Sequence, residues 1–173
     1  KSGLYNDSLN QLKLAEHFYK ERLNESGAKE KLTSVMFFTG EVLSSKGKFS
    51  EAIQAFLDAQ NLTQDREMQT ALNGRIGDCY FSMASKIAGN SEKQAEFKGF
   101  ISKAANAFAD IYKDKNTNSF TKQQALYKLA KCHETTGLLG AREPQNAELA
   151  KALEYYWDLF FGHREKQIRS RFE

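Results

Sequence analysis

The residues best suited to chemistry are two cysteines, one of which is followed directly by a histidine. Neither Cys79 nor Cys132 belongs to a Cys-x-x-Cys motif, the usual setting of a reactive or metal-binding pair. Adjacent helical residues such as Cys132 and His133 point about 100° apart, so they do not share a metal ion without further ligands. We therefore expect two small apolar core residues and no metal site. A disulfide or a reactive thiol is the alternative.

Paired carboxylates are the second chemical possibility. Glu41 and Asp78 each follow a glycine in similar surroundings, and Lys131 takes the corresponding place further along the chain. Two carboxylates in one cleft can perform acid–base catalysis, but solvated surface charge is the reading we favour. The sequence contains no glycine-rich phosphate loop, no His-Glu-x-x-His motif and no Gly-x-Ser-x-Gly motif. We therefore predict a protein that is not an enzyme and that needs no cofactor and no small-molecule substrate.

Composition favours an all-α fold. The chain has 173 residues, of which 40% are hydrophobic and 27% charged, and it contains a single proline. Because proline interrupts helices and marks loops, its scarcity favours long helices joined by short connections. A net charge of +3 does not by itself indicate a nucleic-acid partner. No apolar run approaches the roughly 20 residues that span a bilayer, so we expect no membrane span.

The apolar periodicity predicts seven helices. Capping boxes are predicted at Ser91–Gln94 and at Thr121–Gln124, and a loop containing Pro144 is predicted from Gly140 to Asn146. The predicted helices lie near residues 7–23, 29–46, 50–61, 65–87, 91–114, 120–137 and 147–171.

An internal repeat runs along the chain. An alanine precedes an aromatic residue by four positions at Ala15/Tyr19, Ala52/Phe56, Ala104/Phe108 and Ala152/Tyr156. Residues four apart share one helix face, so the alanine admits a neighbouring helix while the ring fills the adjacent space. Four such pairs, each late in a predicted helical hairpin, indicate repeated hairpins.

The segment from Met36 to Ala59 resembles the tetratricopeptide repeat (TPR) along its full length. Gly40 stands where the two helices of the repeat pack closely, and Gly47 stands at the turn between them. Phe49 follows the turn, and the second helix carries the inner-face residues Ala52, Phe56 and Ala59. The proline that usually ends the repeat is replaced by Gln64.

Two longer copies follow the first. One begins near Gly77 and ends with Ala104 and Phe108, and the other runs from Ala130 to Ala152 and Tyr156. The resemblance implies one TPR-like domain over residues 1–173, cut from a longer array. It comprises a half repeat at 7–23, a repeat at 29–61 and elongated repeats at 65–114 and 120–171. The residues expected to pack the repeats together are Gly40, Ala52, Phe56, Gly77, Ala104, Phe108, Ala130, Ala152 and Tyr156.

This resemblance implies a right-handed solenoid of antiparallel helical hairpins whose concave groove holds a peptide or a partner protein. In the family, the first helix of each hairpin lines that groove. We therefore expect a non-catalytic scaffold, although some of the groove aromatics could instead pack between hairpins. The groove residues carried over from the family are Ser34, Phe37, Glu41, Ser44, Gly74, Asp78, Phe81, Tyr127, Lys131 and Glu134.

Two departures bear on the partner. TPR co-chaperones clamp a terminal carboxylate with Lys and Asn, where this chain has Phe37 and Glu41, so binding of a chaperone tail is not expected. The last segment, His163–Arg171, is basic and follows an aromatic run. It is expected to end a helix whose apolar face the next hairpin covers.

Three further readings concern function and location. The chain could be the helical docking arm of a larger enzyme. Its basic C-terminal helix could instead bind an acidic protein or nucleic acid, although the modest net charge does not favour nucleic acid. The elongated repeats also resemble bacterial envelope members of the family, of the barrel-assembly lipoprotein and cell-division coordinator types, which favours the periplasm or envelope over the cytoplasm.

Overall fold

The computed structural model describes residues 2–139 and 145–169, and this part of the chain is helical without any strand. The all-α prediction and the seven predicted helices are confirmed, and one short 3₁₀ turn precedes the fifth helix. The elements are α1 (Ser2–Lys20), α2 (Ala28–Ser45), α3 (Phe49–Leu62), α4 (Arg66–Ile87), the 3₁₀ turn Ser91–Lys93, α5 (Gln94–Lys113), α6 (Ser119–Leu139) and α7 (Gln145–Arg169).

Asparagine residues cap the 3₁₀ turn before α5 and the start of α6, where capping boxes were predicted. The Asn90 side chain accepts a hydrogen bond from the backbone N–H of Glu92 at 3.0 Å. The Asn118 side chain accepts one from the N–H of Thr121 at 2.8 Å. The predicted caps at Ser91 and Thr121 were therefore wrong, because the short amide of an asparagine reaches the unpaired N–H groups from an earlier position. The predicted loop at 140–146 lies mostly outside the described residues.

A tight turn at Gly47 joins α2 to α3. Gly47 has a φ of 74°, in the left-handed region that favours glycine. Its N–H donates to the carbonyl of Ser44 at 2.8 Å, and the N–H of Lys48 donates to the carbonyl of Leu43 at 2.9 Å. These two bonds form a Schellman motif, which satisfies carbonyls at the end of α2 and turns the chain back as an antiparallel hairpin.

The chain forms two compact units that divide within α4, Lys1–Cys79 and Tyr80–Glu173. In the first unit, α2 packs against both α1 and α3, and the first part of α4 also belongs to it. Helices α2 and α3 approach closely at Gly40, where an added Cβ atom would lie 2.6 Å from Cδ1 and 2.7 Å from Cζ of Phe56. The ring therefore occupies the space that any side chain at position 40 would need.

In the second unit, α5 packs against α6, and α6 against α7. The buried face of α5 carries apolar residues at alternating spacings of four and three, the periodicity of an amphipathic helix. Residues from α4 and α6 complete the core. Its buried members are Ala84, Phe97, Ile101, Ala104, Phe108, Leu129 and Cys132.

Consecutive helices thus pack as a helical repeat requires. Within the described residues, no helix is both long and apolar enough to cross a membrane.

Two helical glycines provide a matched test of the contact between α2 and α3. Gly40→Ala forces the methyl group into the Phe56 ring, and such overpacking should lower the free energy of unfolding by about 1–3 kcal/mol. Gly99→Ala in α5 meets nothing within 4 Å and should raise it by about 0.5–1 kcal/mol, because alanine favours the helix. Urea unfolding of both variants measures the two changes. Equal effects at the two positions would contradict the close approach at Gly40.

Candidate functional site

A charged cluster joins α2 to α4 in the first unit. Nε of Arg75 lies 3.0 Å from a carboxylate oxygen of Glu41, and its Nη1 lies 3.9 Å from one of Asp78. The three side chains remain between one third and one half exposed. Arg75 therefore forms an ion pair with each of the two predicted groove carboxylates.

The remaining predicted groove residues of this unit differ in exposure and contacts. Phe37 is half-buried and its ring packs against Phe38 and Phe56, so part of this aromatic packs within the hairpin. The Ser34 hydroxyl donates to the carbonyl of Glu30 in the same helix at 3.0 Å. Gly74 is partly buried on α4. The surface thus depends mainly on Glu41, Arg75 and Asp78.

The thiol of Cys79 lies beside this cluster. Its Sγ donates to the hydroxyl of Ser44 on α2 at 3.7 Å. Burial raises the pKa of the Cys79 thiol, and the nearby carboxylates of Asp78 and Glu41 raise it further. A thiol with a raised pKa is a poor nucleophile at neutral pH, so Cys79 contributes to packing rather than to covalent chemistry.

A second network of polar and aromatic side chains joins α6 to α7. The ammonium of Lys131 lies 2.8 Å from the Glu134 carboxylate, to which the hydroxyl of Tyr156 also donates at 2.9 Å. The exposed ring of Tyr127 lies 6.2 Å from that of Tyr156. Three of the four predicted groove residues of this unit are therefore brought together. The fourth, Phe81, packs against the core cluster instead.

The hydrogen bonds of this network shift the pKa values of its three titratable groups. The bonds from Lys131 and Tyr156 lower the pKa of the Glu134 carboxyl. The bond to Glu134 in turn raises the pKa of Lys131, while burial and the same carboxylate raise that of Tyr156. All three groups therefore keep one protonation state around neutral pH, and the network presents a fixed pattern of donors and acceptors.

A partly buried polar bridge holds α7 against α6 at another point. Nδ1 of His133 lies 2.5 Å from a carboxylate oxygen of Glu148, and Lys151 approaches the other oxygen at 3.1 Å. The His133 ring also packs on Tyr155, with the ring centroids 5.4 Å apart. Burial opposes ionisation of Glu148, but the hydrogen bonds with His133 and Lys151 outweigh this and lower the pKa of the carboxyl.

The residues predicted to pack the repeats together lie almost entirely in the interior. Tyr156 is half-buried and the others are buried. Cys79 and Cys132 are also buried, and both are thiols rather than halves of a disulfide. Among residues 2–139 and 145–169, no group of three His, Cys, Asp or Glu side chains could hold a metal ion.

A shallow cleft of about 250 Å³ opens in the first unit. Two of its carboxylates are paired with lysines, since Glu16 lies 2.6 Å from Lys20 and Glu51 lies 2.9 Å from Lys48. The third, Asp58, accepts a hydrogen bond from the neutral amide of Gln54 at 2.8 Å. The lining residues of the cleft are Glu16, Met36, Thr39, Glu51, Gln54, Ala55 and Asp58.

Two contributors to these surfaces were not predicted for this role. Arg75 was overlooked although it stands three residues before Asp78, the spacing at which helical side chains meet. Tyr156 was assigned to packing alone, and its hydroxyl turns out to bind Glu134. The spacing could have indicated Arg75. The bond between Tyr156 and Glu134 depends on how α6 and α7 are aligned, which no short motif encodes.

Comparison of the chain with models of known protein families, with curated proteins and with solved structures finds no match. The resemblance to TPR proteins therefore rests on the repeat residues alone.

The bridge between His133 and Glu148 predicts a pH-dependent stability. Because the folded state lowers the pKa of Glu148, its ionised form stabilises the fold above the ordinary value of 4.5, and this contribution is lost as the pH falls through the lower folded value. Glu148→Gln should cost about 1–2 kcal/mol at pH 7 and progressively less below pH 4.5. Urea midpoints between pH 3.5 and 7 measure this. Glu154→Gln, at an exposed position of the same helix, is the control and should cost little at any pH.

Thiol labelling tests the burial of the cysteines. Because both side chains are 1% exposed, we expect alkylation by iodoacetamide at pH 8 to be at least a hundredfold slower in the folded protein than in the urea-unfolded chain. Mass spectrometry over time gives both rates. Rapid labelling of Cys79 or Cys132 in the folded state would show instead that the thiol is accessible.

Proposed function

We propose that this chain is a TPR-like scaffold without catalytic activity. It binds a peptide or partner protein through the outward faces of α2, α4 and α6, the first helices of the three predicted hairpins. The observation that carries the proposal is the arrangement of α6. Tyr127 is exposed beside the fixed Lys131–Glu134–Tyr156 network, so one helix face offers an aromatic ring and groups of both charge signs. Interfaces concentrate binding energy in aromatic residues that are surrounded by polar contacts.

The same face of α6 extends beyond this network. Phe120 precedes Tyr127 by seven residues and Leu138 follows it by eleven, and both intervals return to one face of a helix. Their side chains are 68% and 62% exposed, as an apolar contact surface requires. Apolar anchors spaced along a helix with charges between them suit a partner helix or an extended peptide.

The first unit supports a binding role in a different way. The ion cluster at Glu41, Arg75 and Asp78 is exposed enough that screening by water leaves each pair worth about 0–1 kcal/mol. Such pairs add little stability, but they can exchange partners at little cost. The cluster carries one net negative charge, so a peptide that presents a cation fits this surface better than a terminal carboxylate does.

Selection of binding peptides tests the proposal. Immobilised protein would be used to select from a random peptide display library, and the selected peptides would be measured by fluorescence anisotropy. We expect Kd values below about 100 μM. Asp78→Lys or Tyr127→Ala should weaken a selected peptide by fivefold or more, about 1 kcal/mol, because each removes a central contact of its surface.

Matched controls separate these surfaces from the rest of the protein. Asp110→Lys makes the same charge change at an exposed position of α5, and Phe161→Ala removes an α7 ring about as exposed as Tyr127, at 42% against 46%. Both should leave peptide affinity unchanged. If the selected peptides bind both test variants as tightly as the wild type, or if no peptide is enriched, the proposal fails.

A further inference from the structure

The carboxylate of Glu134 on α6 is bonded through one of its two oxygens. The ammonium of Lys131 and the hydroxyl of Tyr156 both approach Oε2, at 2.8 and 2.9 Å. The other oxygen, Oε1, has no hydrogen-bond partner among the residues that the structure describes. Because the Glu134 side chain is 32% exposed, a group from solution can reach it. An ionised carboxylate accepts through both oxygens, so Oε1 is open to a donor from outside.

Two tyrosine rings stand beside this carboxylate. Tyr127 precedes Glu134 by seven residues on the same face of α6, and Tyr156 reaches over from α7 to bond with Glu134. The ring centroids are 6.2 Å apart and the ring planes are inclined at 55°. At this separation a single cation can lie within about 6 Å of both centroids, the range over which ring faces attract positive charge. The rings and the carboxylate thus form a partial cage for a cation.

Lys131 shows which charge this carboxylate accepts. Its ammonium already lies against Glu134, and it follows Tyr127 by one helical turn. Both members of the ion pair are substantially exposed, and pairs of this kind contribute little to stability. The ammonium stands on a flexible four-carbon stem, so Lys131 can move into water and leave its place to another cation.

The same arrangement disfavours an anionic ligand. An anion bound to Lys131 would lie beside the Glu134 carboxylate, which repels it. The faces of the two tyrosine rings carry the negative part of their quadrupoles and repel it as well. A neutral apolar side chain would contact the rings but leave the charge of Glu134 unused.

We propose that Tyr127, Glu134 and Tyr156 bind a lysine or arginine side chain of the partner, and that Lys131 is an internal competitor for the same place. This inference rests on the function proposed above and adds the class of residue that α6 selects. The incoming cation donates to Oε1 of Glu134 and lies against the tyrosine rings, while Lys131 moves away. The partner therefore binds against a competing contact within the chain, so removal of Lys131 should strengthen binding.

Peptide pools with one fixed residue test the class of ligand. Four fluorescein-labelled heptapeptide pools would carry lysine, arginine, norleucine or glutamate at the centre and random uncharged residues elsewhere. Norleucine keeps the apolar stem of lysine without its charge. We expect fluorescence anisotropy at about 150 mM salt to give the lysine and arginine pools a Kd at least fivefold lower than the other two, because only these ligands pair with the carboxylate and the rings.

Two results of this comparison would overturn the inference. Norleucine or glutamate pools that bind as tightly as the cationic pools would remove it and leave the scaffold function standing. Absence of binding by all four pools would also remove it, and the peptide selection described above then decides on the scaffold function independently.

Substitutions in the site test its residues. Glu134→Gln keeps an acceptor for Tyr156 but removes the charge, and it should weaken the cationic pools about tenfold. Tyr127→Leu keeps an apolar side chain but removes the ring and should weaken them about threefold, whereas Tyr127→Phe should bind like the wild type. Lys131→Met removes the competitor and should tighten the cationic pools at least threefold.

Matched controls separate this site from general charge effects. Lys98→Met makes the same charge change as Lys131→Met at an exposed position of α5 and should leave the Kd unchanged. The proposal is wrong if Lys131→Met does not tighten the cationic pools. It is also wrong if Asp78→Lys in the first unit abolishes their binding while Glu134→Gln has no effect. Circular dichroism checks that every variant remains helical.

Discussion

Close approach between helices at small residues is the constraint on which the rest of this structure depends. Gly40 allows the ring of Phe56 to lie directly against the backbone of α2. Ala52, Ala104 and Ala130 are completely inaccessible to solvent, as helix contacts without intervening side chains require. The distance between two helices follows from the side chains at their contact. Where those side chains are absent or minimal, a ring from the neighbouring helix fills the adjacent space and fixes the alignment of the pair.

Fixed alignment in turn organises the surface. Once α2 and α4 are held in one register, Arg75 meets Glu41 across the gap between them. Once α6 and α7 are aligned, the hydroxyl of Tyr156 reaches Glu134. These contacts are too exposed to add much stability. Their consequence is a surface on which charges of both signs and aromatic rings already lie close together before a partner binds.

Local elements of the structure could be predicted from the sequence, whereas contacts between distant segments could not. Apolar periodicity and scarce proline were enough to predict seven helices, because one repeating pattern determines each of them. The turn at Gly47 was predictable because only glycine adopts its left-handed backbone without strain. The caps at Asn90 and Asn118 were missed because serine, threonine and asparagine stand close together there and compete for the same N–H groups. Contacts such as that between Arg75 and Glu41 join segments that are distant in sequence. They form only when the two helices have one particular relative position, which short sequence patterns do not determine.

Packing in the core does not explain all of the apolar residues on helix α7. A helix that only closes a core needs one apolar side, and Ala152, Tyr155 and Leu159 would supply it here. Trp157 and Phe160 lie outside that side, so the core cannot account for them. Exposure of two of the largest apolar side chains lowers solubility and does not stabilise the core. The second apolar side of α7 therefore indicates a contact outside the core of its unit.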